Sequence, residues 1–210
     1  MFSLLVGLWD YLFSKAEVHV LIIGLDYAGK TTLLEQLKSH FGKKPGIPLE
    51  KIPPTVGLNT KKRIDAEYDY VVAKVDIKRT NVIFWDLGGQ ERLRAIWSKY
   101  YSESHGLVFV LDAADPQRFG EAKNALEIML SNEELYGIPI LILSNKNDLE
   151  NATDLNTIGT ALNLGAIPTS HETHVQAISA LSMNGVEDAV NWLIGTVKNS
   201  ERFVSKQNRS

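Results

Sequence analysis

Apolar residues fall in short blocks along this chain, at Val18 to Gly24, Asn81 to Asp86, Leu107 to Asp112, Ile138 to Ser144 and His174 to Ser179. Each block has the length of a strand and most end in polar or glycine-containing segments. Between most of them, apolar positions return every three or four residues. That spacing predicts helices over Lys30 to Phe41, Glu91 to Tyr101, Gln117 to Leu130, Leu155 to Leu162 and Val186 to Val197. Strands alternating with helices predict an α/β fold with a mostly parallel sheet covered on both faces, its loops gathered at the carboxyl edge by right-handed crossovers. The pattern changes between Gly57 and Asn81. Leu58 to Ile64 and Tyr70 to Ile77 alternate with period two around the polar Asp65-Ala-Glu-Tyr-Asp69, which predicts an antiparallel hairpin insert at the sheet edge. Lys43 to Pro54, rich in proline, reads as a loop, and the polar Ser200 to Ser210 is expected to be unstructured. Near the start, Phe2, Leu5, Leu8, Trp9, Leu12 and Phe13 lie at helical spacing and predict an interfacial amphipathic helix with few charges, Asp10 and Lys15.

Composition narrows this picture. The 210 residues, 44% of them hydrophobic, suit a single α/β domain with a full core. A net charge of −3 supplies no global basic field, so nucleic acid is not an expected partner. The absence of cysteine excludes disulfides, thiolate metal sites and palmitoyl or prenyl anchors, and points to a reducing compartment. Phe2 to Val6 is too short for a signal-peptide core and carries no basic flank, and no run approaches the roughly twenty apolar residues of a membrane span. The expected location is therefore the cytosolic side.

The chemistry begins at Gly24-Leu-Asp-Tyr-Ala-Gly29-Lys30-Thr31, between an apolar strand and an amphipathic helix. This is phosphate-loop spacing: the glycines let backbone N–H groups converge on phosphate oxygens, Lys30 reaches the terminal phosphates, and the Thr31 hydroxyl ligates Mg²⁺. Gly24, Asp26, Ala28, Gly29, Lys30, Thr31 and Thr32 are the candidate residues there, and the substrate is a nucleoside triphosphate. Asp86-Leu-Gly-Gly89-Gln90 directly follows a strand. Asp86 is placed to act on the metal through water, Gly89 to bring its N–H to the γ-phosphate, and the Gln90 amide to orient an attacking water. Asn145-Lys146-Asn147-Asp148 follows another strand. Asp148 can accept from both N1–H and the exocyclic amine of guanine, a pair that adenine lacks, while Lys146 lies along the base and Asn145 ties this loop to the phosphate loop. Ser179-Ala180-Leu181 can offer a backbone N–H to guanine O6. Thr55, in Pro53-Pro54-Thr55-Val56-Gly57, can close its hydroxyl and backbone onto Mg²⁺ and the γ-phosphate.

In this order and spacing the five elements resemble the small GTPases. Gly24-Leu25-Asp26, Pro54-Thr55-Val56-Gly57, Trp85-Asp86-Leu87-Gly88-Gly89-Gln90-Glu91 and Trp97-Ser98-Lys99-Tyr100-Tyr101 are similar to the Arf and Arf-like branch. Met1-Phe2-Ser3-Leu4, without glycine, and Ile178-Ser179-Ala180-Leu181 look most like its Arf-related-protein subgroup. The resemblance implies an amphipathic helix at 1–16, a GTPase domain at 17–199 with an extended interswitch hairpin at 61–80, and a polar tail at 200–210. The implied sheet is mostly parallel with an antiparallel edge strand. The implied reaction is hydrolysis of GTP to GDP and phosphate with Mg²⁺, Lys30 and Gln90 being catalytic and Thr31, Thr55 and Asp86 serving the metal. It further implies a monomer controlled by a guanine nucleotide exchange factor and a GTPase-activating protein, recruiting membrane effectors in vesicle traffic. Trp85 and Tyr100 match two members of the aromatic triad shown to effectors, while Leu58 stands where many relatives have phenylalanine. In this branch the interswitch hairpin slides in register on nucleotide exchange and ejects the N-terminal helix; the interswitch here is longer than the family usually has, which fits an altered slide, an added contact surface or a tolerated extension. Phe2 excludes myristoylation, and the subgroup implies an acetylated Met1 read by a Golgi membrane protein, hence the cytoplasmic side of Golgi or trans-Golgi membranes, cycling with cytosol.

Two other readings cover part of the pattern: another P-loop NTPase, against which Asp148 and Gln90 argue, and a scaffold that holds GTP without hydrolysing it, against which Lys30, Thr31, Asp86 and Gln90 argue. No arginine lies between Pro53 and Gly57, so slow intrinsic hydrolysis is expected.

Overall fold

A computed structural model of the chain describes residues 16–42 and 70–207. Strand β1 (Glu17–Gly24) sends Val18, Val20 and Ile22 to one face and Leu21 and Ile23 to the other, and all five are fully buried. That two-sided burial is why the strand reads as a continuous apolar run and not as an alternation. It lies between β3 (Thr80–Leu87) and β4 (Gly106–Asp112), parallel to both. With β2 (Tyr70–Ile77), β5 (Ile140–Asn145) and β6 (Thr173–Ala177) the sheet runs β2-β3-β1-β4-β5-β6. Among the described strands only β2 is antiparallel, at the edge. One face is covered by α1 (Lys30–Phe41) and α4 (Val186–Asn199) through Leu33, Leu34, Leu37, Val190, Leu193 and Val197. The other is covered by α2 (Phe119–Leu130) and α3 (Leu155–Ala161) through Phe119, Leu126, Met129 and Ile158. No helix among the described residues is long and apolar enough to cross a membrane.

The strand order reverses direction around β1, so the loops after β1, β3 and β4 meet at one edge, the position where open α/β sheets bind ligands. The register aligns the chemistry there: Ile22 lies opposite Asp86, Gly24 opposite Val110, and Asp112 opposite Asn145.

The Tyr70–Ile77 strand occurs with its expected bounds, and two other expectations are corrected. Tyr70–Ile77 pairs with β3, through a two-residue turn at Lys78 and Arg79, both left-handed at φ 46° and 63°. Tight hairpins prefer Asn or Gly at such positions, so this turn carried no sequence signal. The expected partner, Leu58 to Ile64, lies outside the described residues. Glu91–Tyr100 is a 3-10 helix, not an α-helix: Trp97 is its one buried residue, so it lacks the apolar stripe that packs an α-helix against a core. The described part of the tail is helical where coil was expected, since α5 (Glu201–Gln207) folds back. Phe203 is buried edge-on against His105, and Arg202 donates to the backbone oxygens of Ser104, Glu134 and Tyr101. A single aromatic and a single guanidinium anchor it, too few residues for a periodic pattern.

Candidate nucleotide site

β1 ends at Gly24, where φ is 138° and a side chain would meet Val110 O at 2.2 Å; only glycine lets the chain leave the sheet there. The loop closes at Gly29, which caps α1 with φ 93° and lies so near Asn145 that an added Cβ would fall 2.3 Å from Nδ2. No side chain caps the N-terminus of α1 and no acidic residue lies in its first turn, so its positive end faces the loop unneutralised. Lys30 is buried at 3% exposure and donates from Nζ to Leu25 O at 2.7 Å. Burial pushes its pKa down, and the carboxylates of Asp86 and Asp26 oppose that. Thr31 Oγ1 donates to Asp86 Oδ2 at 2.7 Å, and Thr32 is half-buried in the same helical turn.

Asp86 is buried, which raises its pKa against the opposing Lys30 charge and Thr31 hydrogen bond. Its second oxygen, Oδ1, is also buried and has no hydrogen-bond partner in the protein. A buried carboxylate oxygen left unsatisfied beside a hydroxyl is a hard donor set of the kind Mg²⁺ takes, one or two protein oxygens with phosphates completing the shell. The residues fit Mg²⁺ held by Thr31 and Asp86. No cluster of three or more His, Asp or Glu able to hold a metal occurs among the described residues.

Gly89 touches the phosphate loop directly: a Cβ there would fall 2.3 Å from Gly24 O and from Asp26 N. The next residue, Gln90, is half-buried and its Oε1 accepts from Arg92 Nε at 3.1 Å. Trp97 Nε1 donates to Gly88 O at 3.0 Å, tying the helix back to this turn. Trp85 and Tyr100 lie with ring centroids 5.8 Å apart.

The base-side loops are joined by one amide. Asn145 Nδ2 donates to Ala28 O and its Oδ1 accepts from Ala180 N, both at 2.8 Å, so the phosphate loop, the β5 loop and the Ser179–Leu181 segment meet on its side chain. Lys146, left-handed at φ 65°, donates from Nζ to Asp112 Oδ2. Asp148 is exposed in the following turn, where Asn147 N donates to Ile178 O. Ser179 is buried and its Oγ accepts from Ser182 N, while Leu181 is exposed and its oxygen accepts from Gln36 Nε2 at 2.6 Å. Thr55, Leu58 and the apolar residues Phe2 to Phe13 lie outside the described residues.

Sequence reading missed four residues here. Asp112 orients Lys146, and its position at a strand's carboxyl end was the available signal. Arg94, Arg118 and Glu121 carried none. Arg118 donates to Asp26 O at 3.0 Å and Asp26 Oδ1 at 2.6 Å, and its Nε to Glu121 Oε2 at 2.8 Å. Arg94 donates to Glu121 Oε1 and, from Nε, to Gly89 O at 2.9 Å. The Arg118 hydrogen bond pulls the Glu121 carboxyl down to about 2, against burial and with help from Arg94. Because the folded value lies below the ordinary 4.5, this ion pairing adds stability that is complete above pH 4.5 and is lost as pH falls toward 2. Glu121→Gln is therefore expected to lower the melting temperature at neutral pH, with the gap to the unaltered protein closing progressively below pH 4.5. Melting curves across that window check it, and a gap that stays constant would refute it.

Residues 5–197 match the ADP-ribosylation factor family. ADP-ribosylation factor-related protein 1 of Bos taurus is 43% identical over 199 residues, covering 94% of this chain and 93% of its own. ADP-ribosylation factor-like protein 3 of Saccharomyces cerevisiae is 37% identical over 204 residues, covering 96% of each. The solved Arl6 BBS3 small GTPase from Trypanosoma brucei, with the bound nucleotide analogue GppNp, superposes with a TM-score of 0.73 at 27% identity, over 89% of this chain and all of that one. The chain belongs to the ADP-ribosylation factor family and is a small GTPase of Arf-like type.

Proposed function

We propose that this protein is a GTP-hydrolysing switch of membrane traffic, resting chiefly on Asp86, whose Oδ2 accepts from the Thr31 hydroxyl under the influence of the Lys30 charge while its buried Oδ1 is left unsatisfied. Mg²⁺, when bound, neutralises triphosphate charge. Lys30 exchanges its Leu25 contact for the β- and γ-phosphate oxygens, and the N–H groups at the start of α1 hold the same charge. Gly89 offers its N–H to the γ-phosphate from its seat on the phosphate loop. Gln90 leaves Arg92 to accept from the attacking water. A bond forms from water oxygen to the γ-phosphorus as the bridging bond breaks, its electron pair leaves on GDP, and the water proton ends on phosphate. Asp148 accepts from the base, with Lys146 held along it by Asp112. With no arginine between Pro53 and Gly57, intrinsic turnover is slow, and an activating protein that donates one adds about 10³- to 10⁵-fold.

The bound GppNp of the Arl6 relative supports the nucleotide class. Similarity to the Arf-related relatives supports a Golgi or trans-Golgi address, reached through residues 1–16, packed on the domain with GDP and released with GTP. The division at residues 16 and 199, the role of Thr55 in the first switch, and monomeric behaviour belong to the same proposal.

Equilibrium binding of GDP, GTP and ATP to the full chain, with Mg²⁺ present and chelated, tests this. Tight Mg²⁺-dependent binding of guanine nucleotides and exclusion of ATP are expected. Equal binding of ATP would remove the guanine assignment. Sedimentation with liposomes is expected in the GTP state alone, and GTP-independent sedimentation would count against nucleotide control of the N-terminal helix.

A further inference from the structure

Arg94, Glu121 and Arg118 lie in none of the nucleotide motifs, yet they join two of them. Each oxygen of the Glu121 carboxylate takes one arginine: Oε1 from Arg94, Oε2 from Arg118. Arg94 uses its remaining Nε on Gly89 O, and Arg118 uses its two terminal nitrogens on the backbone and side chain of Asp26. A guanidinium is planar and its donors point in fixed directions, so two partners on one fork determine its position. Gly89 in turn rests on Gly24 O and Asp26 N, the same stretch of backbone that Arg118 grips. The contacts therefore close a ring, from Gly89 through Arg94, Glu121, Arg118 and Asp26 back to Gly89. Its middle is carried by rigid pieces, since Arg118 ends the 3-10 turn Pro116–Arg118 and Glu121 lies in the first turn of α2. Arg94 and Arg118 are largely shielded, with side chains 17% and 30% exposed, so the pairing is stronger than at an open surface.

We propose that Glu121 is a positioning residue that couples the second switch to the phosphate loop, holding Gly89 where its N–H meets the γ-phosphate and so setting how strongly the protein prefers GTP over GDP. This rests on the GTP-switch reading above. GDP lacks the group that Gly89 senses, so loss of the ring acts on the triphosphate complex selectively. A surface ion pair that merely stabilised the fold would act on both complexes alike.

The test is release of fluorescent GDP and of a fluorescent non-hydrolysable GTP analogue from the full chain at fixed Mg²⁺. Glu121→Gln is expected to speed release of the GTP analogue about tenfold and to leave GDP release within about twofold. Arg94→Lys keeps the charge but cannot serve Glu121 and Gly89 O from one planar fork. It is expected to show the same selective loss, and gives the reading should Glu121→Gln fail to fold. The double variant is expected to be no worse than either single one, as members of one ring are not additive. Equal acceleration for both nucleotides, no acceleration for either, or additive effects in the double variant overturns the proposal. The unaltered chain separates the two levels: no guanine binding there removes the switch reading and the proposal with it, whereas tight binding with unselective release from the variants removes the proposal alone.

Discussion

Lys30→Met is expected to weaken GTP and GDP binding by about 10³-fold, the loss expected when one member of a buried charge-assisted pair is truncated. The nucleotide-free protein is expected to melt within a few degrees of the unaltered one. The reason is the position of the ammonium. At 3% exposure it carries a desolvation cost, visible in its lowered pKa, and it is stabilised by one backbone oxygen and by the nearby Asp86 and Asp26. Methionine fills the same path without that cost, while Asp86 loses its cation, and the two changes oppose each other. Fluorescence titration set beside thermal melting separates them. A loss of affinity below about tenfold would mean that Lys30 stays on Leu25 O and does not reach phosphate.

Asp148→Asn is expected to reduce discrimination for guanine by about 10⁴-fold, because a site built around two donors is left with one matched and one opposed partner. In the proposed function the carboxylate accepts from N1–H and from the exocyclic amine. An amide accepts one and turns its own NH₂ toward the other. Xanthine carries a carbonyl where guanine carries that amine, so the variant is expected to gain affinity for xanthine nucleotides. Competition of GTP against XTP measures both changes. The frame around Asp148 stays in place, since Asn147 N and Asn145 pin the loop to Ile178, Ala28 and Ala180 independently of it. Unchanged preference would put base recognition on another residue.

Legibility in the sequence followed chain distance. α1 occurs over Lys30–Phe41, the span its periodicity predicts, because glycine before it and apolar spacing within it are local signals. The strands were readable for the same reason, to within two residues at most ends. Asn145 was readable as a link between loops only because its motif brought its partner motif with it. The turn at Lys78 and Arg79 was not readable, since neither residue type announces a left-handed backbone; the pairing of β2 with β3 imposes it. Nor was α5, whose place depends on Arg202 reaching carbonyls about a hundred residues earlier in the chain.

What the sequence determined by itself is the alternation of strands and helices, the phosphate loop, and the residue types proposed to meet metal, γ-phosphate and guanine. These are properties of contiguous residues, where spacing alone dictates which groups share a turn. Only the tertiary structure decided which loops act together. Asp112 under Lys146, Asp86 with one oxygen on Thr31 and the other unsatisfied, and Glu121 between two arginines all join residues far apart in the chain. Charged groups brought together in this way gain their strength from partial burial, which exists only once the sheet has assembled and its carboxyl edge has drawn the loops into one place.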